Sequence, residues 1–133
     1  MNLVIRKANP EDIPAIHEIT KEAFEKYAVD LGLPRAVSAL KETEETVLRE
    51  MKKKTILIAL LDGIPVGSIR YEILPDGIVY ISRFGVKLDI QKSGVGRALV
   101  EAVETIAMFG PHSIASLAAT VTVPAFAPPK IKR

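Results

Sequence analysis

The sequence predicts an α/β protein of the α+β type, in which helices flank a mixed but mainly antiparallel central sheet. Two observations carry this prediction. Three apolar runs of strand length follow one another with glycine-containing turns between them, which is typical of an antiparallel meander. A helical apolar period precedes this meander and a second one follows it. The predicted order of elements is β-α-α-β-β-β-α-β within 133 residues, a length that fits one domain.

A short strand and two helices are predicted before the meander. The strand is Leu3-Val4-Ile5, and Asn9-Pro10-Glu11-Asp12 predicts a helix start with a capping asparagine, an early proline and two acidic residues. Apolar residues then recur at three- and four-residue steps: Ile13, Ile16, Ile19, Ala23, Phe24 and Tyr27. After a break at 30–34, a second helix is predicted over about 36–53 with four residues facing inward: Leu40, Val47, Leu48 and Met51.

The meander consists of three strands, predicted over 55–61, 64–74 and 78–86. Between the first two, Asp62-Gly63 predicts a two-residue hairpin turn, because glycine tolerates the positive φ that such turns need. Pro75-Asp76-Gly77 predicts the second turn, since all three residue types favour turns.

A last helix and a last strand are predicted after the meander. The helix is indicated by a stripe of apolar residues and stops at Gly110-Pro111; the stripe consists of Ala98, Leu99, Ala102, Val103, Ile106 and Ala107. The segment 113–123 is rich in small and β-branched residues, so it is the candidate for a final strand.

Composition and charge exclude several classes of function. The net charge of +2 gives no electrostatic reason to predict binding to nucleic acid. The absence of cysteine excludes disulfides and thiolate metal sites, and no metal ion is predicted. The N-terminus lacks the apolar core of a signal peptide, and no run of residues suits a membrane span. We therefore predict a soluble, cytoplasmic protein without a membrane partner.

The segment IQKSGVGRAL stands where a predicted strand leads into a predicted helix. A glycine-rich approach lets the unpaired N–H groups of a helix start come close to an anion, and Lys92 and Arg97 add positive charge beside Gly94 and Gly96. The segment is neither a Walker loop nor a dinucleotide fingerprint, because Leu99 occupies the third glycine position of the latter. On the glycines alone, a pyrophosphate cradle and a plain helix-entry turn both stay open.

The pattern Gln91-x-x-Gly94-x-Gly96 resembles the acetyl-CoA motif of the GNAT N-acetyltransferase superfamily, Gln/Arg-x-x-Gly-x-Gly/Ala. The opening IRKANPEDIPAIHEI resembles the first strand and helix of that family, and DGIPVGSIRYEI resembles its second and third strands. The resemblance covers about residues 1–107. It implies an enzyme that transfers an acetyl group from acetyl-CoA, as cosubstrate, to the amine of a small molecule or a peptide.

The resemblance also implies which residues hold the cosubstrate. In the family the pantetheine arm fills a gap between the fourth and fifth strands, so backbone groups of Phe84, Gly85 and Val86 are expected to bind the pantetheine and the acetyl carbonyl. The pyrophosphate loop corresponds to a run of seven residues that would bind chiefly through their amides: Gln91, Lys92, Ser93, Gly94, Val95, Gly96 and Arg97. The side chains of Lys92 and Arg97 can still face solvent.

Two residues are candidates for catalysis. Some members of the family carry a catalytic glutamate six residues before the position matched by Val86, and Tyr80 stands there in this sequence. An ordinary tyrosine pKa of about 10 makes it a weak base unless its surroundings lower that value. Glu72, on the neighbouring strand, is the nearest carboxylate, although a strand glutamate that faces solvent can be a polar surface group only.

Other polar residues have simpler interpretations. His17, on the first predicted helix, is expected to face solvent. The acidic cluster Glu42, Glu44 and Glu45 is expected to complement the dipole of the second helix. As an alternative hypothesis, this cluster attracts a cationic amine substrate, because that helix borders the acceptor site in the family.

The end of the sequence departs from the family pattern. Every acidic residue lies at or before Glu104, and 107–129 contains no charged residue. Family members continue with a fifth strand, a fourth helix and two more strands, of which only the fifth strand has a candidate here. A frameshifted or truncated gene product is favoured over a naturally short variant that completes its sheet with a second chain.

Both explanations leave an apolar tail and a sheet edge exposed in a monomer, so we predict a homo-oligomer. The chain is accordingly divided into a single acyl-CoA N-acyltransferase-like domain over 1–133, of which 1–107 matches the family well and 108–133 is an atypical tail. Two functions other than an active enzyme stay open. One is a non-catalytic or remnant CoA-binding domain, and the other is an unrelated phosphate- or nucleotide-binding α/β module.

Overall fold

The computed structural model describes residues 2–32, 41–90, 93–110, 113 and 121–122. Its strands are β1 Asn2–Lys7, β2 Thr55–Leu61, β3 Ile64–Ile73, β4 Val79–Val86 and β5 Val121–Thr122. Its helices are α1 Ile13–Leu31, α2 Glu44–Met51 and α3 Val95–Phe109. The order of these elements and the mixed α/β class are those that the sequence predicts.

The strands form one antiparallel sheet in the order β4-β3-β2-β1-β5. Strand β5 pairs with β1 through Leu3↔Val121, so it lies at the edge of the sheet opposite β4. The family resemblance places a fifth strand beside β4, and that pairing is not the one observed among the described residues. Of the final strand predicted over 113–123, only Val121–Thr122 is strand; 114–120 and 123 lie outside the described residues.

The turns of the meander have the predicted chemistry. Asp62 and Gly63 adopt φ values of 50° and 85°, and they connect the directly paired residues Leu61 and Ile64. In the second turn, the amide of Gly77 donates to the carbonyl of Leu74 at 2.8 Å, and the amide of Ile78 donates to Oδ1 of Asp76 at 3.1 Å, so Leu74 and Ile78 belong to the turn. This is why β3 ends one residue earlier, and β4 begins one residue later, than predicted.

Helix α1 begins as predicted, after a single 3₁₀ turn over Pro10–Asp12. The Asn9 side chain accepts from the amide of Glu11, and the Asp12 carboxylate accepts from the amide of Asn9 at 2.9 Å. Asp12 also pairs with Arg6 of β1 through two hydrogen bonds of 2.7 and 3.0 Å. This pair fixes the start of α1 on the sheet.

The sheet carries one layer of helix on each face. Helix α3 packs on one face, where the described residues form a core that includes Leu57, Ile69 and Leu99. Helices α1 and α2 pack on the other face, over a smaller cluster that includes Ile16, Val47 and Ile58. No helix within the described ranges has both the length and the apolar character needed to cross a membrane.

Among the side chains that the structure describes, which do not include those of Tyr27 and Leu40, two of the predicted inward residues are wrong. Leu48 is 38% exposed, because the narrow apolar stripe of α2 runs through Val47 and the partly buried Met51. Ala107 is exposed because the last turn of α3 extends beyond its packed stripe, which ends at Ile106. Helix α2 is also shorter than predicted: Thr43 caps it by accepting from the amide of Thr46, and 36–40 lies outside the described residues.

Candidate functional site

The glycine-rich loop connects the end of β4 to the start of α3. A short 3₁₀ turn over Leu88–Ile90 follows β4, and α3 begins at Val95 with Gly94 as its N-cap. Gly94 has φ 99° and ψ −4°, a left-handed conformation in which a side chain would be strained. Gln91 and Lys92 lie outside the described residues.

Gly96 lets the first turn of α3 lie directly on the end of β4. A Cβ added at Gly96 would lie 3.3 Å from Cζ of Phe84 and 3.6 Å from Cγ2 of Val86. Val95 and Leu99, on the same side of the helix, are fully buried. The structure therefore brings the predicted pyrophosphate loop and the predicted pantetheine strand together.

The start of α3 has the features of an anion site. A helix start leaves its first amides without partners inside the helix, and the helix dipole is positive there. Within the described residues, no side chain caps these amides at Gly94. Arg97 is exposed in the first turn, and the Ser93 hydroxyl oxygen is buried without a hydrogen-bond partner in the described part of the chain. The loop thus offers donors and positive potential to a phosphate group.

Helix α1 holds the end of β4 from the other face of the sheet. A Cβ added at Gly85 would lie 2.9 Å from Cβ of Ala23, so glycine is needed for this close approach. Two residues beyond the end of β4, the Glu22 carboxylate accepts from the amide of Leu88 at 2.8 Å. Helix α1 therefore positions both the strand end and the turn that leads into the loop.

A β-bulge interrupts the middle of β4. The pairing with β3 passes from Arg70↔Arg83 to Tyr71↔Ile81, which leaves Ser82 as the extra residue. Bulges bend a strand and re-aim its side chains, and they often lie next to active sites. Among the described residues β4 pairs with β3 alone.

The two catalytic candidates lie directly opposite each other. Glu72 of β3 pairs with Tyr80 of β4, so both side chains emerge on the face that carries α1 and α2. Tyr80 is 54% exposed and Glu72 is partly buried. Each side chain carries a group that can give or take a proton, and the two occupy directly opposed positions on one face of the sheet.

A buried ion pair, which the sequence analysis did not identify, lies on the same face. Arg70 of β3 donates to both carboxylate oxygens of Glu42, with Nη1–Oε2 at 2.7 Å and Nη2–Oε1 at 3.0 Å. Their side chains are only 2% and 4% exposed. The predicted helix-dipole role is therefore wrong for Glu42, which lies before α2, whereas Glu44 and Glu45 occupy the first turn of α2 as predicted.

The ion pair is the centre of a larger charged cluster. Nε of Arg83 lies 3.7 Å from Oε2 of Glu42, and Oε1 of Glu50 lies 3.9 Å from Nη1 of Arg70. Glu50 also pairs with Lys54 at 3.1 Å. Burial raises the pKa of Glu50, but the hydrogen bond from Lys54 and the charges of Lys54 and Arg70 outweigh it and hold the pKa below its usual value.

His17 supports this cluster from α1. Its Nε2 donates to the backbone carbonyl of Glu42 at 2.7 Å, and the ring is partly buried. The expectation that His17 faces solvent is therefore wrong. The contact ties the segment before α2 to α1, which explains how Glu42 is held at the sheet. One signal could have indicated the cluster, since Arg70 stands within the otherwise uncharged strand run GSIRY.

Comparison with protein families gives a match over most of the chain. The model of the acetyltransferase (GNAT) family matches residues 13–124. This range extends past residue 107, where the resemblance identified in the sequence ends. No curated protein matches the chain.

Solved structures share the fold. The PaiA N-acetyltransferase of Thermoplasma acidophilum, in complex with coenzyme A, has TM-score 0.72 and 21% identity, covering 81% of this chain and 73% of that chain. A GCN5-related N-acetyltransferase of Rhodopseudomonas palustris has TM-score 0.66 and 25% identity, with 81% and 67% covered. A GNAT family acetyltransferase of Brucella melitensis, in complex with acetyl-CoA, has TM-score 0.63 and 21% identity, with 80% and 68% covered.

Proposed function

Because the chain belongs to the GNAT acetyltransferase family, we propose that it transfers an acetyl group from acetyl-CoA to the amine of a small molecule or a peptide. The observation that carries this proposal is the contact between the start of α3 and the end of β4, made possible by Gly96. Two of the solved structures with this fold contain coenzyme A or acetyl-CoA, which supports the choice of cosubstrate.

We assign the cosubstrate to the loop and the strand that this contact joins. The amides of the loop from Gln91 to Arg97 bind the pyrophosphate, and Gly94 supplies the left-handed turn that aims them. Backbone groups at Phe84, Gly85 and Val86 bind the pantetheine and the acetyl carbonyl. Bound in this way, acetyl-CoA supplies a thioester as the acetyl donor.

Glu72 and Tyr80 are the proposed proton-transfer pair. In the reaction the C–S bond of the thioester breaks, a C–N bond forms, the amine loses a proton and the departing thiolate gains one. Glu72 takes the proton from the amine, and the hydroxyl of Tyr80, opposite it on β4, gives its proton to the departing thiolate and is then reprotonated from Glu72. No covalent enzyme intermediate is needed.

Calorimetric titration with acetyl-CoA tests the binding site. We expect saturable binding near one site per chain for the native protein, and a loss of at least about tenfold in affinity for Gly94→Glu, because the new carboxylate repels the phosphates. Gly77→Glu is the matched control, since Gly77 also has a positive φ, of 87°, but lies in the turn between β3 and β4. The absence of binding by folded native protein, or an equal loss in the control, would contradict the assignment.

A non-catalytic CoA-binding domain is the second candidate function. The presence of Tyr80 at the position where the family resemblance expects a glutamate favours it. Both candidates bind acetyl-CoA, and they differ in turnover. Release of the CoA thiol in the presence of a panel of amines supports the enzyme, whereas tight binding without amine-dependent release supports the binding domain.

A further inference from the structure

Within the described residues, the charged cluster around Glu42 contains one more positive side chain than negative ones. Both oxygens of Glu42 are held by Arg70, and Glu50 is matched by Lys54 at 3.1 Å. Arg83 approaches this cluster only through its Nε, at 3.7 Å from Glu42, which is too long for a hydrogen bond. The excess charge therefore resides on Arg83 within the described part of the chain.

Arg83 is held in place but has donors to spare. Its Nη1 donates to the carbonyl of Ser82 at 2.8 Å, and its guanidinium carbon lies 5.9 Å from the centre of the Phe24 ring on α1. Its Nε is buried and has no hydrogen-bond partner among the described residues. Guanidinium groups that lose solvent are normally paired with anions, and 27% of this side chain is still exposed to receive one.

The position of Arg83 relates it to the proposed proton-transfer pair. Arg83 pairs with Arg70, and Tyr80 pairs with Glu72, so the two pairs lie on the same face of β3 and β4. Arg70 and Glu72 are two residues apart on β3, which separates the backbones of the two pairs by about 7 Å. A molecule whose amine and carboxylate are joined by a short carbon chain can reach both.

We propose that Arg83 binds a carboxylate of the acceptor, so that the acceptor is an amine that also carries a carboxylate. The inference rests on the proposed function, and it specifies the substrate class of that site. A bidentate contact between a guanidinium and a carboxylate gives both affinity and orientation. Arg83 thus selects the acceptor and aims its amine at Glu72. The same chemistry is present in a free amino acid and in an acidic residue of a peptide.

Binding of matched pairs of acetylated products tests the inference without requiring turnover. The first pair is N-acetylalanine and N-acetylalaninamide, which differ in a carboxylate against a neutral amide. The second pair is the N-acetylated, C-amidated dipeptides Ala-Asp and Ala-Asn. Affinities are measured by NMR titration of the native chain and of Arg83→Met, Arg83→Lys and Arg49→Met, the last being the control because Arg49 is exposed on α2.

We expect the carboxylate member of one pair to bind at least about tenfold more tightly than its neutral partner, a difference of about 1.4 kcal/mol. Arg83→Met should abolish this preference, Arg83→Lys should keep part of it, and Arg49→Met should not change it. A preference in the first pair assigns the carboxylate to a free amino acid, and a preference in the second pair alone assigns it to a peptide.

The inference is overturned if neither pair shows a preference, if Arg83→Met retains it, or if Arg49→Met removes it to the same extent. Titration of the same samples with acetyl-CoA separates this result from a failure of the proposed function. A chain that binds acetyl-CoA but shows no Arg83-dependent preference contradicts only the substrate class. A chain that does not bind acetyl-CoA contradicts the proposed cosubstrate site. The difference in affinity between the two members of each probe pair can still be measured in that case, because the titration contains no acetyl-CoA.

Discussion

Arg70 and Glu42 are 28 residues apart in the sequence, yet the guanidinium of one holds both carboxylate oxygens of the other in a nearly solvent-free position. A buried ion pair of this kind contributes little net stability compared with two apolar residues, since both charges lose their hydration. The pair instead positions its two residues specifically, because separating them would leave each charge buried without its partner. The pair fixes the segment before α2 on the face that carries Tyr80 and Arg83.

Removal of one partner should destabilise the fold strongly. We expect Glu42→Ala to lower the free energy of unfolding by about 3–5 kcal/mol, because it leaves the Arg70 charge buried without its carboxylate. Urea denaturation measures the change, with Glu25→Ala, at an exposed position of α1, as the control. The double replacement Glu42→Leu with Arg70→Met should recover most of the loss. A Glu42→Ala variant as stable as the control would disprove the role of the pair.

Acidification should weaken the attachment of α1 to β1. The hydrogen bond from Arg6 holds the pKa of Asp12 below its usual value; burial opposes this effect, and the amide of Asn9 adds to it. A carboxylate whose pKa is lower in the folded than in the unfolded state stabilises the fold at pH values above the unfolded pKa of about 4. This stabilisation disappears as the pH falls through the folded pKa.

We expect Asp12 to contribute at most about 1 kcal/mol to the free energy of unfolding, because Arg6 is partly exposed and solvent screens the ion pair. Unfolding by urea between neutral pH and pH values below about 4 measures it. Asp12→Asn should be less stable at neutral pH and should lose less stability on acidification, whereas the exposed control Asp89→Asn should follow the native curve. Parallel curves for the native chain and Asp12→Asn would be the contrary result.

The close approach of α1 to β4 should make Gly85 intolerant of any side chain. A Cβ at Gly85 would lie 2.9 Å from Cβ of Ala23. We therefore expect Gly85→Ala to lower the free energy of unfolding, measured by urea denaturation, by about 1–3 kcal/mol through overpacking. Ala23→Gly should reduce this cost by removing the opposing methyl group. In a double-mutant cycle, the loss in the double variant should therefore be smaller than the sum of the two single losses. Strict additivity would show that the two positions do not touch.

The proton-transfer pair should affect turnover without affecting cosubstrate binding. We expect Glu72→Gln to lower kcat by about 10²–10⁴, because the amine then lacks a base, and Tyr80→Phe to cause a smaller decrease. Steady-state assays of CoA release measure kcat, and calorimetry measures acetyl-CoA affinity. Glu18→Gln, an exposed change on α1, is the control. Native turnover in Glu72→Gln would remove Glu72 from the mechanism.

Self-association should involve the β3–β4 end of the sheet. Ile73, Ile78 and Ile81 are 48%, 59% and 41% exposed near the turn that joins these strands. Light scattering should give a mass above that of one chain, and Ile78→Lys should reduce it. Ile64→Lys is the matched control, since Ile64 is 62% exposed beside the β2–β3 turn. A native mass equal to one chain, or the same effect from both variants, would refute this placement.

The local chemistry of the sequence predicts the meander well. Strand β2 occupies Thr55–Leu61 as predicted, because its apolar run is bounded by Asp62-Gly63, and the backbone angles of that pair fit few other residues. The start of α1 follows in the same way from the capping pattern at Asn9. In these places each boundary depends on neighbours in the sequence.

The features that were missed depend on long-range contacts. Glu42 looks like part of an acidic helix start, and only the folded chain places it against Arg70. His17 looks like a surface residue of α1, since its partner is a backbone carbonyl 25 residues away. The glycine loop can be recognised because its glycines specify a local backbone shape, whereas the charged cluster around Glu42 combines side chains from β3, β4 and α2.

The hydrogen bond from the amide of Leu88 to the Glu22 carboxylate makes one backbone proton a natural reporter of the loop. While this bond holds, the proton is protected from exchange with deuterium in the solvent, and it exchanges when the Glu22 carboxylate leaves the Leu88 amide, by rotation of the side chain or by movement of α1. Its exchange rate therefore records how often this contact between α1 and the turn before the glycine loop opens. If acetyl-CoA slows that exchange in proportion to its occupancy, then ligand binding and this contact are energetically linked.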